Sequence, residues 1–171
     1  MSTADRVAQD EVTEVARTYF GATVRRDLDA MEACWKPGGI EHIIGLGELR
    51  VPDEYRAYFG ELFEAMPDFA YEVLEMVTEG NRVAVHWQAT GTFTGADYQG
   101  LKANGRSGRI EGIDMIVVED GKVVRNDVSF NAAMMMRDIG ILPALDSPGE
   151  RATKVLFNLR TAATKALRRG R

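Results

Sequence analysis

Between Asp5 and Arg26, apolar residues at Val7, Val12, Val15, Ala16, Tyr19, Phe20 and Ala22 recur at helical spacing, which predicts a first helix. Asp27-Leu28-Asp29 offers a cap for a second helix over Ala30 to Trp35, closed by Pro37-Gly38-Gly39. Ile40 to Ile44 then reads as a short strand. If the charged Glu41 faces water, Ile40, His42 and Ile44 face inward, so His42 becomes a candidate site residue. Gly45 to Val51 reads as a loop. Pro52-Asp53-Glu54 opens a third helix, from about Asp53 to Ala65, whose Tyr55, Tyr58, Phe59, Leu62 and Phe63 form an aromatic stripe. Pro67 ends it.

Beyond Pro67 the period changes from that of a helix to that of a strand. Phe69 to Thr78 and Arg82 to Thr94 are predicted strands joined at Glu79-Gly80-Asn81, and in the second of them Val83, Val85, Trp87 and Ala89 share the inward face. Gly95 to Gly108 is rich in glycine and polar residues and reads as a loop able to cover a pocket mouth. Two further strands, Ile110 to Val118 and Lys122 to Phe130, flank Glu119-Asp120-Gly121 as a hairpin. With a three-residue loop, Asp114 lies opposite Asn126 and Gly112 opposite Val128, and the even-numbered positions share one face. That face, holding Ile116, Val118, Val124, Val128 and Phe130, is mostly apolar with one carboxylate and one amide, the make-up of a small-molecule pocket. Buried there, Asp114 would be pushed toward neutrality and suited to general acid or base work, with Asn126 or His42 orienting it or holding an enolate oxygen. A structural buried acid is the competing reading.

Ala132 to Ile139 is a predicted short helix carrying Met134, Met135 and Met136, and Leu142 to Gly149 a linker. Arg151 to Arg169 is a basic amphipathic helix with Val155, Leu156, Leu159, Ala163, Ala166 and Leu167 on one side. Its apolar side is small and alanine-rich, so docking on its own domain or on a subunit partner is preferred to contact with an anionic membrane surface. Helices followed by a run of strands imply an α+β fold: a cone-shaped, curved antiparallel sheet packed on the N-terminal helices. Residues 1–143 form the domain and 144–171 the linker and C-terminal helix.

Composition narrows the function. A net charge of −5 argues against general nucleic-acid binding. One cysteine, Cys34, excludes an intramolecular disulfide and a cysteine-cluster metal site, and two distant histidines make zinc an unexpected ligand. The N-terminus lacks the apolar centre of a secretory signal, so the cytoplasm is the expected compartment. With no nucleotide loop or nucleophile elbow, no cofactor is expected.

Ala65-Met66-Pro67-Asp68-Phe69, Gly91-Thr92-Phe93-Thr94-Gly95, Val118 to Lys122 and Arg137 to Pro143, in this order of elements, resemble the SnoaL-like polyketide cyclases of the nuclear transport factor 2-like superfamily. The resemblance spans about residues 8 to 143. It implies a cone enclosing a pocket for a hydrophobic small molecule, a homodimer, and proton-transfer chemistry. By hairpin alignment the aspartate that moves the proton in the ring-closing cyclases falls on Val128, two pocket histidines fall on Asn126 and Asp114, and a glutamine falls on Gly112. Valine cannot carry a proton, so Asp114 and His42 become the catalytic candidates, with Tyr19, Trp87, Asn126, Val128 and Phe130 around the substrate. The expected activity is a cofactor-independent cyclisation, isomerisation or dehydration of a hydrophobic carbonyl compound. The alternative is a ligand-binding or dimerisation domain that has lost the acid.

Overall fold

A computed structural model describes residues 3–169; the side chains of Thr3, Ala4, Asp5, Ala166, Leu167 and Arg169 lie outside the described set. Helices α1 (Thr3–Arg25) and α2 (Leu28–Ala33) lead into β1 (Trp35–Ile43), β2 (Gly47–Arg50) and α3 (Asp53–Ala65). Strands β3 (Ala70–Glu79), β4 (Arg82–Thr92), β5 (Ser107–Glu119) and β6 (Lys122–Phe130) follow, then α4 (Ala132–Asp138) and α5 (Pro148–Arg169). One sheet runs in the order β2-β1-β6-β5-β4-β3, antiparallel throughout except where β1 lies parallel to β6.

The helices cover one face of that sheet because their apolar stripes have nowhere else to go. Ala16, Tyr19, Phe20 and Thr23 of α1 are buried at spacings of three and four, and Met31, Tyr55 and Val83, Val85, Ile116 and Val123 of the sheet complete the core beneath them. Each large side chain so buried contributes roughly 1.5–3 kcal/mol of transfer free energy. Asp27 caps α2 as its sequence suggests, accepting a hydrogen bond from the Ala30 amide at 3.0 Å.

Three expectations need correction. The second helix stops at Ala33, and the chain is already in a strand at Trp35: Pro37-Gly38-Gly39 is a bulge inside β1, where the register against β6 shifts between Trp35 and Ile40. Gly38 has φ +82, and a Cβ on Gly39 would stand 2.8 Å from the Trp35 ring, so this turn of the strand depends on both glycines. The predicted loop after Ile44 contains β2, which pairs with β1 as a hairpin. The β5–β6 turn is the two-residue kind, with Asp120 and Gly121 both at positive φ, 52 and 70. A bulge at Val124 then shifts the register, putting Val123 rather than Val124 on the inner face. Asp114 is therefore opposite Val128, and Gly112 opposite Phe130.

Helix α5 has its first turn tied to the domain, where Glu150 meets Arg137 at 3.8 Å; within the helix Glu150 also meets Lys154 at 3.1 Å. Beyond it Val155, Leu156 and Leu159 are exposed, so the helix is not docked on its own domain. Among the described residues no helix is long and apolar enough to cross a membrane.

Candidate active site

The sheet and α1, α3 and α4 enclose a hollow of about 170 Å³. Its walls are rings. Trp87 stacks on Tyr71 with centroids 5.0 Å apart, Tyr71 stacks on Phe20 at 5.7 Å, and Phe130 closes against Trp87 at 6.3 Å. Tyr19, Ile43, Tyr58 and Val128 add further apolar surface, while Tyr98 and Leu101 from the loop after β4 and Met135 and Met136 from α4 line the outer part. The loop expected to cover a pocket mouth thus contributes to the lining.

Two carboxyl groups face into this hollow, from Asp114 and Glu41, and no lysine, arginine or histidine lines it among the described residues. Asp114, on β5, is 4 % exposed. Its Oδ1 accepts a hydrogen bond from Trp87 Nε1 at 2.6 Å and its Oδ2 one from Asn126 Nδ2 at 2.8 Å. The Asn126 contact is diagonal across β5 and β6, which is within reach because alternate residues on one face still meet. Burial pushes the Asp114 carboxyl from an ordinary 3.8 up to about 7, against the pull of the Asn126 and Trp87 donors, which favour the anion. A group poised there can take or give a proton at neutral pH.

Glu41 is the residue that the sequence concealed. The bulge in β1 turns Glu41 and Ile43 inward, and Glu41 is 2 % exposed beside its cross-strand partner Asn126. Burial first, and then the charge of Asp114, raise its carboxyl well above the carboxylate range, against a smaller pull from the Asn126 amide. The signal that could have found it is the bulge-prone Pro37-Gly38-Gly39, which shifts the face of every following residue.

The same shift sends His42 to the other side of the sheet. There its Nδ1 lies 2.8 Å from Asp127 Oδ1, within a partly exposed group completed by Arg125 and Glu48. His42 does not line the hollow, and its expected inward orientation is corrected. Asn126 is fully buried and also does not line the hollow; it stands behind the two acids and holds Asp114. Trp87, Tyr19, Val128 and Phe130 do line it. The Tyr19 hydroxyl pairs with that of Tyr55 at 3.0 Å.

A curved sheet wrapped on helices around an apolar, ring-walled hollow is the nuclear transport factor 2-like fold. More narrowly, the chain belongs to the SnoaL-like polyketide cyclase family, whose sequence model matches residues 13–139. AclR of Streptomyces galilaeus, a candidate hydroxylase, has a similar structure, with a TM-score of 0.70 and 24% identity over 94% of this chain and 96% of that one. A candidate SnoaL-like polyketide cyclase from Jannaschia sp. CCS1 superposes with a TM-score of 0.71 at 19% identity, covering 80% of this chain and 96% of its own. IdmH of Streptomyces antibioticus, a candidate polyketide cyclase, gives a TM-score of 0.65 at 19% identity, over 75% and 98%. At these identities the likeness concerns the fold. No curated protein matches the sequence significantly.

Proposed function

We propose that the protein is a cofactor-independent enzyme that moves protons on a neutral, hydrophobic carbonyl compound, with Asp114 as the group that takes the proton from carbon. The observation that carries this reading is a carboxyl buried at the wall of an apolar hollow, fixed by two donors and raised into the neutral range. Proton abstraction beside a carbonyl is the step shared by cyclisation, isomerisation and dehydration, so the reading fits any of the three. Stacked rings at the wall favour a flat ligand. The exposed Ile113 and Met115 on the outer sheet face support a homodimer.

A specific feature favours a second reading, binding without turnover: Val128, 7 % exposed in the hollow, occupies the position to which the family resemblance assigns the proton-moving aspartate. Exchange of the carbon-bound hydrogens of 2-tetralone in deuterated water separates the two. The enzyme reading expects exchange above buffer, rising with pH to a plateau with its midpoint near 7. Quenching of tryptophan fluorescence by 2-naphthol with exchange no faster than in buffer would establish the binding reading instead.

A further inference from the structure

Glu41 lines the same hollow as Asp114, is 2 % exposed, and its Oε2 has no hydrogen-bond partner. An ionised carboxylate with a bare oxygen and no cation in reach is one of the costliest things a protein interior can hold. A proton removes the problem. Asn126, the direct cross-strand partner of Glu41, has the matching defect: its Nδ2 donates to Asp114, but its Oδ1 is buried with no donor. A protonated Glu41 would carry a donor beside the residue whose oxygen lacks one.

The hydrogen bonds also decide which acid holds the proton. Asp114 has two N–H donors aimed at its oxygens, and both stabilise the anion. Glu41 has a bare oxygen. This difference favours the negative charge on Asp114 and the proton on Glu41.

Building on the proton-transfer reading above, we propose that Glu41 is a second catalytic residue, the acid that protonates the substrate oxygen while Asp114 deprotonates carbon, and that the site accepts neutral ligands only. The step balances. The C–H bond breaks as its proton joins the Asp114 carboxylate, and the Glu41 O–H bond breaks as its proton joins the carbonyl oxygen, leaving a neutral enol. Glu41 is now the anion and Asp114 the acid. Return of a proton from Asp114 to carbon and from the enol hydroxyl to Glu41 restores the start. One negative charge, shared by two carboxyls around one amide, is present at every stage, so no second charge is ever developed in the hollow. A phosphate or carboxylate on the ligand would bring that second charge with no cation to meet it.

Two measurements on the full chain test this. The first is 2-tetralone exchange in the wild type, Glu41→Gln, Glu41→Asp and Asp114→Asn. Glutamine keeps the volume but cannot give up a proton, so Glu41→Gln should lower the maximal rate about a hundredfold to ten-thousandfold with little change in KM, and Glu41→Asp should recover part of the loss. Wild-type exchange in Glu41→Gln beside a dead Asp114→Asn overturns the role of Glu41 and leaves the proposed function standing. Wild-type exchange in both overturns that function too. The second needs no variant. At pH 8, 2-naphthoate should bind the wild type at least about a hundredfold more weakly than 2-naphthol, roughly the 2.7 kcal/mol of two decades in Kd; equal binding overturns the neutral-ligand rule.

Discussion

Asp114→Asn should abolish proton exchange into 2-tetralone, by about a hundredfold or more, while 2-naphthol still quenches tryptophan fluorescence. The expectation follows from geometry. Asparagine fits the same space between Trp87 Nε1 and Asn126 Nδ2, and its carbonyl oxygen can still accept one of those two bonds, so the hollow keeps its shape. What it loses is the only carboxylate that the site stabilises as an anion. The same variant reports on stability. Burial raises the Asp114 carboxyl from 3.8 to about 7, so the folded protein keeps that proton at pH values where the unfolded chain releases it. The resulting stabilisation is complete below about pH 4 and is lost as pH rises through about 7. Melting temperatures across that range should therefore fall with pH more steeply in the wild type than in Asp114→Asn. Equal slopes would mean that Asp114 is ionised throughout.

Gly112→Ala is expected to damage both the fold and the site. Gly112 lies between Trp87 on β4 and Phe130 on β6, and a Cβ there would stand 2.5 Å from Trp87 Cζ2 and 2.7 Å from the Ser129 carbonyl oxygen. Neither neighbour is a flexible tip: one is a packed indole, the other backbone. Overpacking of this kind typically costs about 1–3 kcal/mol. If the indole moves, Asp114 loses one of its two donors, so its carboxyl rises further and the pH midpoint of exchange moves to the alkaline side. A lowered denaturant midpoint together with that alkaline move is the expected pair of results. Unchanged stability would show that Trp87 is not packed as described.

Much of the fold was legible in the sequence because its periods are unambiguous. The aromatic stripe of α3 and the alternation in β4 each specify an element and a buried face, and the structure agrees with them. The hairpin is more instructive. Its predicted pairing was two residues off, yet Asp114, Asn126 and Val128 still turned inward, because a slip of two preserves the face whereas a slip of one reverses it. In β1 the error was of the reversing kind. Reading Glu41 as exposed because it is charged put His42 inside, and two facts override that rule. Glycines at 38 and 39 permit a bulge that resets the strand, and a carboxyl can be buried if it keeps its proton. Helix α5 shows a different limit: its amphipathic pattern predicts a helix but does not say what its apolar side meets, and among the described residues Val155, Leu156 and Leu159 stand exposed.

The central claim is that the hollow holds two carboxyl groups and one negative charge, and infrared titration reads this directly. At neutral pH the carbonyl stretch of a protonated carboxyl should be present and should vanish in Glu41→Gln. A second should grow as pH falls through about 7 and be missing from Asp114→Asn. A wild-type spectrum showing both Glu41 and Asp114 ionised at neutral pH would contradict the account.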